Sequence, residues 1–171
     1  DKAIAKINSE YKKYRLIECW GSGSSVSADG KLWDLYEDNL LSEYHIRYGS
    51  YGGIAYYHVS DTYIALFSRF IPCGVYEAIY ILDGLLNDES DFNPDTVHGD
   101  TQAQSTPVFG LAYLLGIKLM PRIRNIKDLS FYKPDRSMVL KHIQSLFKEP
   151  IKWDLIEKHY ADMMRTAMSV K

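Results

Sequence analysis

The segment TVHGDTQAQSTPVFGLAYLLGIKLMPRIRN, residues 96–125, decides the fold of this chain. It opens as a short extended run ending on Asp100, passes through a polar turn into an apolar helix, and closes with a second extended run. Thr106 is the predicted N-cap of the helix, Pro107 its first residue, and Gly116 its stop. The order predicts a strand–helix–strand unit with a carboxylate at the carboxyl end of the first strand, where open α/β sheets place their chemistry.

A second acid closes an extended segment much earlier in the chain. Residues 19–29 are mostly small and polar, which fits a loop or a strand whose small side chains let another group approach its backbone closely. Asp29 ends this segment, and Gly30 is the predicted turn residue after it. Residues 32–36 then fit either a short strand or a loop.

The remaining elements follow a recognisable order. Aromatic and β-branched runs predict an antiparallel meander of strands, at residues 44–48, 54–59 and 63–71. Apolar stripes at helical spacing predict helices, at residues 1–15, 75–86, 138–147 and 153–167. Three meander strands followed by helix, strand, helix and strand is the order of the ribonuclease H-like fold, an α/β fold with a mixed sheet flanked by helices. Its first and fourth strands are neighbours, so Asp29 and Asp100 are expected to meet.

Composition excludes several other classes of protein. The chain has 171 residues, a one-domain length, and its net charge of -2 gives no global attraction to nucleic acid, so DNA contacts have to come from local basic patches. Cys19 and Cys73 lack metal or redox spacing and are expected to be reduced thiols. We expect an intracellular, cytoplasmic protein without a membrane span. Because it opens on Asp1, the chain is expected to begin inside a longer polypeptide.

Two carboxylates that meet at a sheet edge suit metal-assisted phosphoryl transfer. Mg²⁺ is held by one or two carboxylates and keeps positions for water and phosphate oxygens. A two-ion site stabilises the attacking and leaving oxygens of an in-line displacement, so the protein need not supply a nucleophile.

Four segments together resemble the catalytic core of the Tn-three family of bacterial transposases. They are SADG at 27–30, YGSYGGIAYYHVSDTY at 48–63, YILDGLLNDESD at 80–91, and residues 98–125, within a similarity that spans about residues 16–165. The resemblance implies a DDE-type enzyme that uses Mg²⁺, with Mn²⁺ as a substitute. It would nick DNA at the terminal inverted repeats of a transposon and join the freed 3′-hydroxyls to target DNA, in replicative transposition.

The same resemblance assigns residues and partners. Asp29 and Asp100 match the first and second acids, as metal ligands and catalytic residues. The implied partners are the transposon ends, target DNA and other copies of the full-length protein in a transpososome. Asp61 and Asp83 also match family motifs but are expected to be a turn acid and a helix acid.

The sequence departs from the family pattern at three points. Gly99 stands where the family more often has Thr or Ala, and Ala103 where it often has Gly, so Ala103 loses freedom at positive φ. The third acid, a Glu on a helix, lies well over a hundred residues beyond the second, so the ribonuclease H-like fold is expected to be incomplete at its C-terminus. Glu149 and Glu157 are the only glutamates after Asp100, and Glu157 is expected to face solvent.

These considerations predict an organisation in three parts. Residues 1–15 form a helix continuing from an upstream domain, residues 16–128 form the catalytic core, and residues 129–171 begin the insertion before the missing catalytic helix. Such a chain is expected to be inactive alone.

Histidines and basic residues supply further candidates. His58 and His98 are expected to pack or hydrogen-bond within strands, because Mg²⁺ prefers oxygen ligands. Four residues form a basic cluster that either tracks DNA phosphates or is a solvated strand edge, with the first three on one strand face: Lys118, Arg122, Arg124 and Lys127.

Two alternatives remain open from the sequence. In the first, Glu149 or Glu157 completes a self-contained metal nuclease. In the second, the chain is a non-catalytic module for DNA binding or assembly, and substitution of Asp29 or Asp100 has no effect.

Overall fold

The computed structural model describes residues 2–14, 19–46, 48–86 and 94–170. These residues form two compact units, residues 1–122 (unit 1) and residues 123–171 (unit 2). The predicted boundary at residues 15–16 lies outside the described residues. No helix in the described part of the chain is long and apolar enough to cross a membrane.

Unit 1 is built around a mixed sheet of six strands with helices packed on it. Its elements are α1 (Lys2–Tyr11), β1 (Ser25–Asp34), β2 (Glu43–His45), β3 (Ser50–Ser60), β4 (Ala65–Pro72), α2 (Ala78–Leu86), β5 (Thr96–Gly99), α3 (Thr106–Leu114) and β6 (Lys118–Pro121). The sheet order is β2-β3-β1-β5-β6, and β4 also pairs with β3.

The strand pairing shows an antiparallel meander, but β1, β3 and β4 form it. The meander strand predicted at residues 44–48 is wrong, because β2 ends at His45 and pairs only with the first three residues of β3. β3 pairs antiparallel with β1 and with β4, whereas β1 pairs parallel with β5 and β5 parallel with β6. β1 and β5 are the neighbouring first and fourth strands that the sequence predicts, with short β2 as an addition at one end of β3.

One face of this sheet carries the core. Alternation along β1 buries Val26 and Ala28 and exposes Ser27 and Asp29. The buried side chains pack with β3 and β5 and with one face of each helix, including Ile54, Val97, Ile81, Leu82, Val108 and Ala112. The helices α2 and α3 therefore cover one face of the sheet, and Asp29 lies on the other.

The predicted ends of several elements were wrong. β1 continues through Gly30 to Asp34, so Gly30 is a strand residue paired with Tyr56 and not a turn, and residues 32–34 extend this strand. A glycine stands at this strand position because neighbouring side chains approach its Cα closely. A Cβ at Gly30 would overlap the Glu77 carboxylate and the Ile54 side chain. The glycine leaves room for a neighbour without bending the chain.

The helices differ from the prediction mainly in their starts. α2 begins at Ala78 and not at residue 75. α3 begins at Thr106, with Ser105 as its N-cap, so the predicted N-cap is one residue late.

Unit 2 contains a two-stranded parallel sheet, β7 (Phe131–Lys133) and β8 (Phe147–Pro150), followed by α4 (Trp153–Val170). The long final helix was predicted correctly. The helix predicted at residues 138–147 is wrong, because Phe147 starts β8 and pairs with Phe131, their ring centroids 5.7 Å apart. Only Gln144–Leu146 is helical there, as a single 3₁₀ turn.

The structure explains the departures at Gly99 and Ala103. Ala103 is fully buried in the 3₁₀ helix Thr101–Ala103 and is not among the described residues with positive φ. A Cβ at Gly99 would lie 2.6 Å from the Ala103 Cβ, closer than two methyl carbons can approach. One of the two positions can therefore carry a methyl group here, but not both.

We predict strong coupling between these two positions. Gly99→Ala should lower the free energy of unfolding by about 1–3 kcal/mol through overpacking. Ala103→Gly should lower it by about 1–2 kcal/mol through the lost buried methyl and added chain entropy. The double variant should lie close to the Ala103→Gly variant, because the clash is gone. Denaturant unfolding measures all four proteins.

Gly110 in α3 provides the matched control, since a Cβ there would meet nothing within 4 Å. Gly110→Ala should raise stability by about 0.5–1 kcal/mol through helix propensity. Strict additivity of the Gly99 and Ala103 substitutions would contradict the packing described here.

Candidate active site

Asp29 and Asp100 lie side by side at the junction of β1 and β5. The last register pair of these parallel strands is Ala28 with Gly99, and the two aspartates are the next residue of each strand. Neighbouring strands run about 4.8 Å apart. The register therefore brings together two acids that are far apart in sequence, and both are exposed.

Each carboxylate is oriented by a backbone amide. The Asp29 Oδ1 accepts a hydrogen bond from the Gly30 amide at 2.9 Å. The Asp100 Oδ1 accepts one from the Gln102 amide at 2.8 Å, so Asp100 is the N-cap of the 3₁₀ helix. Within the described chain, neither aspartate forms an ion pair with a lysine, arginine or histidine. The described residues thus hold two adjacent anions in place without a compensating cation.

Glu77 is a third acid near this pair, and the sequence reasoning missed it. It immediately precedes α2 and is half-buried, beside the bare Cα of Gly30 on the helix-covered face of the sheet. Burial raises the pKa of Glu77, and the negative charges of Asp100 and Asp29 raise it further. The sequence signal was a glycine directly after Asp29 within a strand, which marks a close neighbour.

Tyr56 reports the same concentration of negative charge. It is 3% exposed and pairs with Gly30 across the β1–β3 ladder. Burial raises its pKa, as do the charges of Glu77, Asp100 and Asp29, in that order. Three carboxylates therefore act on one buried hydroxyl.

The donor chemistry of the aspartate pair fits a hard divalent cation. Carboxylate oxygens are the preferred ligands of Mg²⁺, which commonly takes one or two from a protein and completes its shell with water or phosphate. No group of three or more His, Cys, Asp or Glu in the described residues is arranged to hold a metal ion. Glu77 lies on the covered face of β1, whereas Asp29 projects from the opposite face. Asp29 and Asp100 are therefore the residues that would hold the ion.

Asp61, Asp83 and His58 make structural contacts, whereas the His98 side chain is exposed. His58 is fully buried, with its Nε2 2.9 Å from the Ile81 carbonyl oxygen, as its predicted packing role requires. Asp61 accepts a hydrogen bond from the Gly23 amide, and Asp83 pairs with Arg69. His98 is exposed on β5, two residues before Asp100 and paired with Ser27.

The basic cluster does not form one strand face. β6 ends at Pro121, so strand alternation does not reach Arg124, and Arg124 and Lys127 belong to unit 2. Lys118 pairs with Asp95 at 3.2 Å, and the Arg122 amide donates to the Gly99 carbonyl oxygen. All four basic side chains are exposed.

The two alternative glutamates lie in unit 2. Glu149 is in β8 and Glu157 in α4, and both are exposed. The solvent-facing position predicted for Glu157 is confirmed.

We predict that Glu77 makes stability depend on pH. Folding raises the pKa of Glu77, so the folded state binds the Glu77 proton more tightly than the unfolded state does. The free energy of unfolding therefore falls as the pH rises above the ordinary glutamate pKa of about 4.3. Glu77→Gln removes this loss. Denaturant unfolding without divalent cations should show the variant gaining on the wild type between about pH 4 and pH 7. A stability difference that does not change with pH would contradict the assigned cluster.

Comparison with known proteins gives the context of this site. The Tn3 transposase DDE domain family matches residues 1–171. The transposase of transposon Tn1546 from Enterococcus faecium is 30% identical over 172 residues, covering 100% of this chain and 17% of the relative. The transposase of Tn501 from Pseudomonas aeruginosa is 29% identical and that of transposon gamma-delta from Escherichia coli strain K12 is 31% identical, each covering 99% of this chain and 17% of the relative.

The chain spans about 17% of the length of these curated relatives. The family match extends over both units and includes each segment that carries the resemblance seen in the sequence. The chain belongs to the Tn3 transposase DDE domain family.

Proposed function

We propose that this chain is the metal-binding core of a DNA transposase, in which Asp29 and Asp100 hold Mg²⁺ for phosphoryl transfer. One observation carries the proposal: the parallel register of β1 and β5 sets two exposed carboxylates side by side without a cation partner in the described chain. The strand order, with its antiparallel meander and neighbouring first and fourth strands, supports a ribonuclease H-like fold.

The residues of the site have distinct roles in this proposal. The Gly30 and Gln102 amides fix one oxygen of each aspartate, so that the carboxylates are oriented before any ligand arrives. Glu77 adds negative potential from the covered face and favours a cation at the pair. A divalent ion bound there supplies charge stabilisation for in-line displacement at phosphorus. The exposed position of both aspartates leaves room for a DNA phosphate.

We propose the finer steps by analogy with the family to which the chain belongs. The reaction is nicking at the terminal inverted repeats and joining of the 3′-hydroxyls to target DNA, in replicative transposition within a bacterial cytoplasm. A glutamate outside residues 1–171 is the third ligand, and the full-length protein acts as a multimer. Residues 16–128 are the catalytic core, and residues 129–171 begin the connector to the missing helix. Lys118, Arg122, Arg124 and Lys127 contact DNA phosphates, which contributes affinity without reading sequence.

We predict that Mn²⁺ affinity depends on both aspartates. Asp29→Asn and Asp100→Asn should each weaken Mn²⁺ binding to the 171-residue chain by at least about tenfold, because even outer ligand partners are worth that much. Isothermal titration calorimetry provides the affinity. Glu149→Gln and Glu157→Gln serve as controls and should leave it unchanged.

The two glutamate variants also test the alternative of a self-contained nuclease. DNA cleavage by the 171-residue chain that disappears in Glu149→Gln or Glu157→Gln would identify a self-contained nuclease instead. Equal Mn²⁺ affinity in all five proteins would overturn the metal site.

The transposase that contains this chain tests the reaction itself. Asp29→Asn or Asp100→Asn should abolish Mg²⁺-dependent nicking at the transposon ends and leave binding of those ends intact. Asp61→Asn, which alters a turn acid, is the matched control and should retain nicking. Nicking that survives either substitution in the pair would contradict the proposed function.

A further inference from the structure

A cavity of about 520 Å³ lies beside the 3₁₀ helix that Asp100 caps and has no role in the proposed reaction. Its walls come from β2, from the connection between β4 and α2, and from the 3₁₀ helix that Asp100 caps. Two lining residues belong to the surroundings of the acids: Glu77, which packs beside Gly30, and Gln102, whose amide donates to Asp100. The cavity therefore lies next to the turn that orients Asp100.

Two tyrosine rings form part of the exposed lining, together with the Ile46 side chain, which is 90% exposed. Tyr44 and Tyr76 line the cavity together with His45, and the two tyrosines are 53% and 48% exposed. Exposed rings beside a binding site offer π-faces on which a planar group stacks, and each base of a nucleic acid presents such a face.

Contacts behind the rings hold the walls in place. The Tyr76 hydroxyl donates to the Gln102 carbonyl oxygen at 3.2 Å, and Tyr44 packs edge-to-face on Tyr51 with centroids 5.3 Å apart. The Gly74 amide donates to a Glu43 carboxylate oxygen at 3.3 Å, which ties the β4–α2 connection to β2. The cavity is thus fixed before a ligand enters.

The charge of the lining side chains favours the base of a nucleotide over its phosphate as the group that enters the cavity. Within the described chain its lining contains no lysine or arginine, and its one charged side chain is the Glu77 carboxylate. Among the described lining residues, the Glu77 carboxylate disfavours a phosphate but not a neutral base. The Glu77 carboxylate and the side-chain amide of Gln102 also offer hydrogen-bonding groups to the edge of a base.

We propose that this cavity receives one unpaired base of the DNA strand whose phosphate lies at Asp29 and Asp100. The volume is within the range of pockets that hold small organic ligands. The inference rests on the proposed function, because the position of the phosphate defines which base reaches the cavity. The bound base anchors the strand next to the reacting phosphate.

The test compares an intact single-stranded oligonucleotide with copies that carry one abasic position at successive sites. Fluorescence anisotropy measures their affinity for the 171-residue chain in Mn²⁺. At one position, loss of the base should weaken binding about tenfold, the size expected for one base stacked on an aromatic ring. Tyr76→Ala should weaken binding of the intact strand by the same factor and make intact and abasic strands equal.

Control variants separate stacking from folding. Tyr76→Phe keeps the ring and loses only the hydrogen bond to Gln102, so it should still distinguish the intact strand from the abasic strand, unlike Tyr76→Ala. Tyr113→Ala, which removes an 84%-exposed tyrosine of α3 outside the cavity, should also bind like the wild type. If Tyr76→Ala unfolds the chain, Tyr44→Ala provides the same comparison on the opposite wall.

The outcomes distinguish this inference from the proposed function. If Mn²⁺ binding needs Asp29 and Asp100 but no abasic position matters, or no strand binds, the cavity is not a base site and the metal site stands. If the abasic effect appears but Mn²⁺ binding ignores the two aspartates, the base site stands and the proposed function falls. An abasic effect that persists unchanged in both Tyr76→Ala and Tyr44→Ala would place the base elsewhere and overturn the inference.

Discussion

The parallel pairing of β1 with β5 is the constraint on which the candidate site depends. It fixes Ala28 opposite Gly99, and the next residue of each strand is an aspartate. Each backbone also supplies the amide that orients its own carboxylate, through Gly30 and Gln102. The two neighbouring carboxylates repel each other, and a bound cation would relieve this repulsion. The fold therefore favours cation binding at this point.

Small residues make this pairing compatible with the helices beneath it. Gly30 leaves space for the Glu77 carboxylate, and Gly99 leaves space for the Ala103 methyl group. Both glycines directly flank a site aspartate, so a side chain at either one would displace the strand that carries the acid. The glycines serve close approach here, and neither is among the described glycines with positive φ.

The sequence predicted those parts of the fold that depend on local pattern and element order. Aromatic and β-branched runs predicted β3 and β4, and the segment around Asp100 predicted β5, α3 and β6. The expected meeting of Asp29 and Asp100 followed from the order of these elements. Strand order alone sufficed, because neighbouring parallel strands present their carboxyl ends at one edge. The expected continuation of a basic strand face failed at Pro121, where β6 ends.

Features that depend on contacts distant in sequence were not predictable in this way. The apolar spacing of residues 138–147 suits a helix, but the pairing of Phe147 with Phe131 places the end of the segment in a strand. Glu77 was missed because its relation to Asp29 exists only after α2 packs against β1. Gly30 was the one local sign of that contact, and a glycine after an acid is also a common turn signal.

The most direct test of the metal site is a crystal structure of the chain soaked in Mn²⁺, with the ion located by anomalous scattering. Mg²⁺–oxygen bonds are about 2.0–2.1 Å, and Mn²⁺ should be only slightly longer. We expect one anomalous peak within that range of an oxygen from Asp29 and an oxygen from Asp100. A peak bound elsewhere, or two carboxylates that point apart in a well-ordered sheet with no ion between them, would contradict the account.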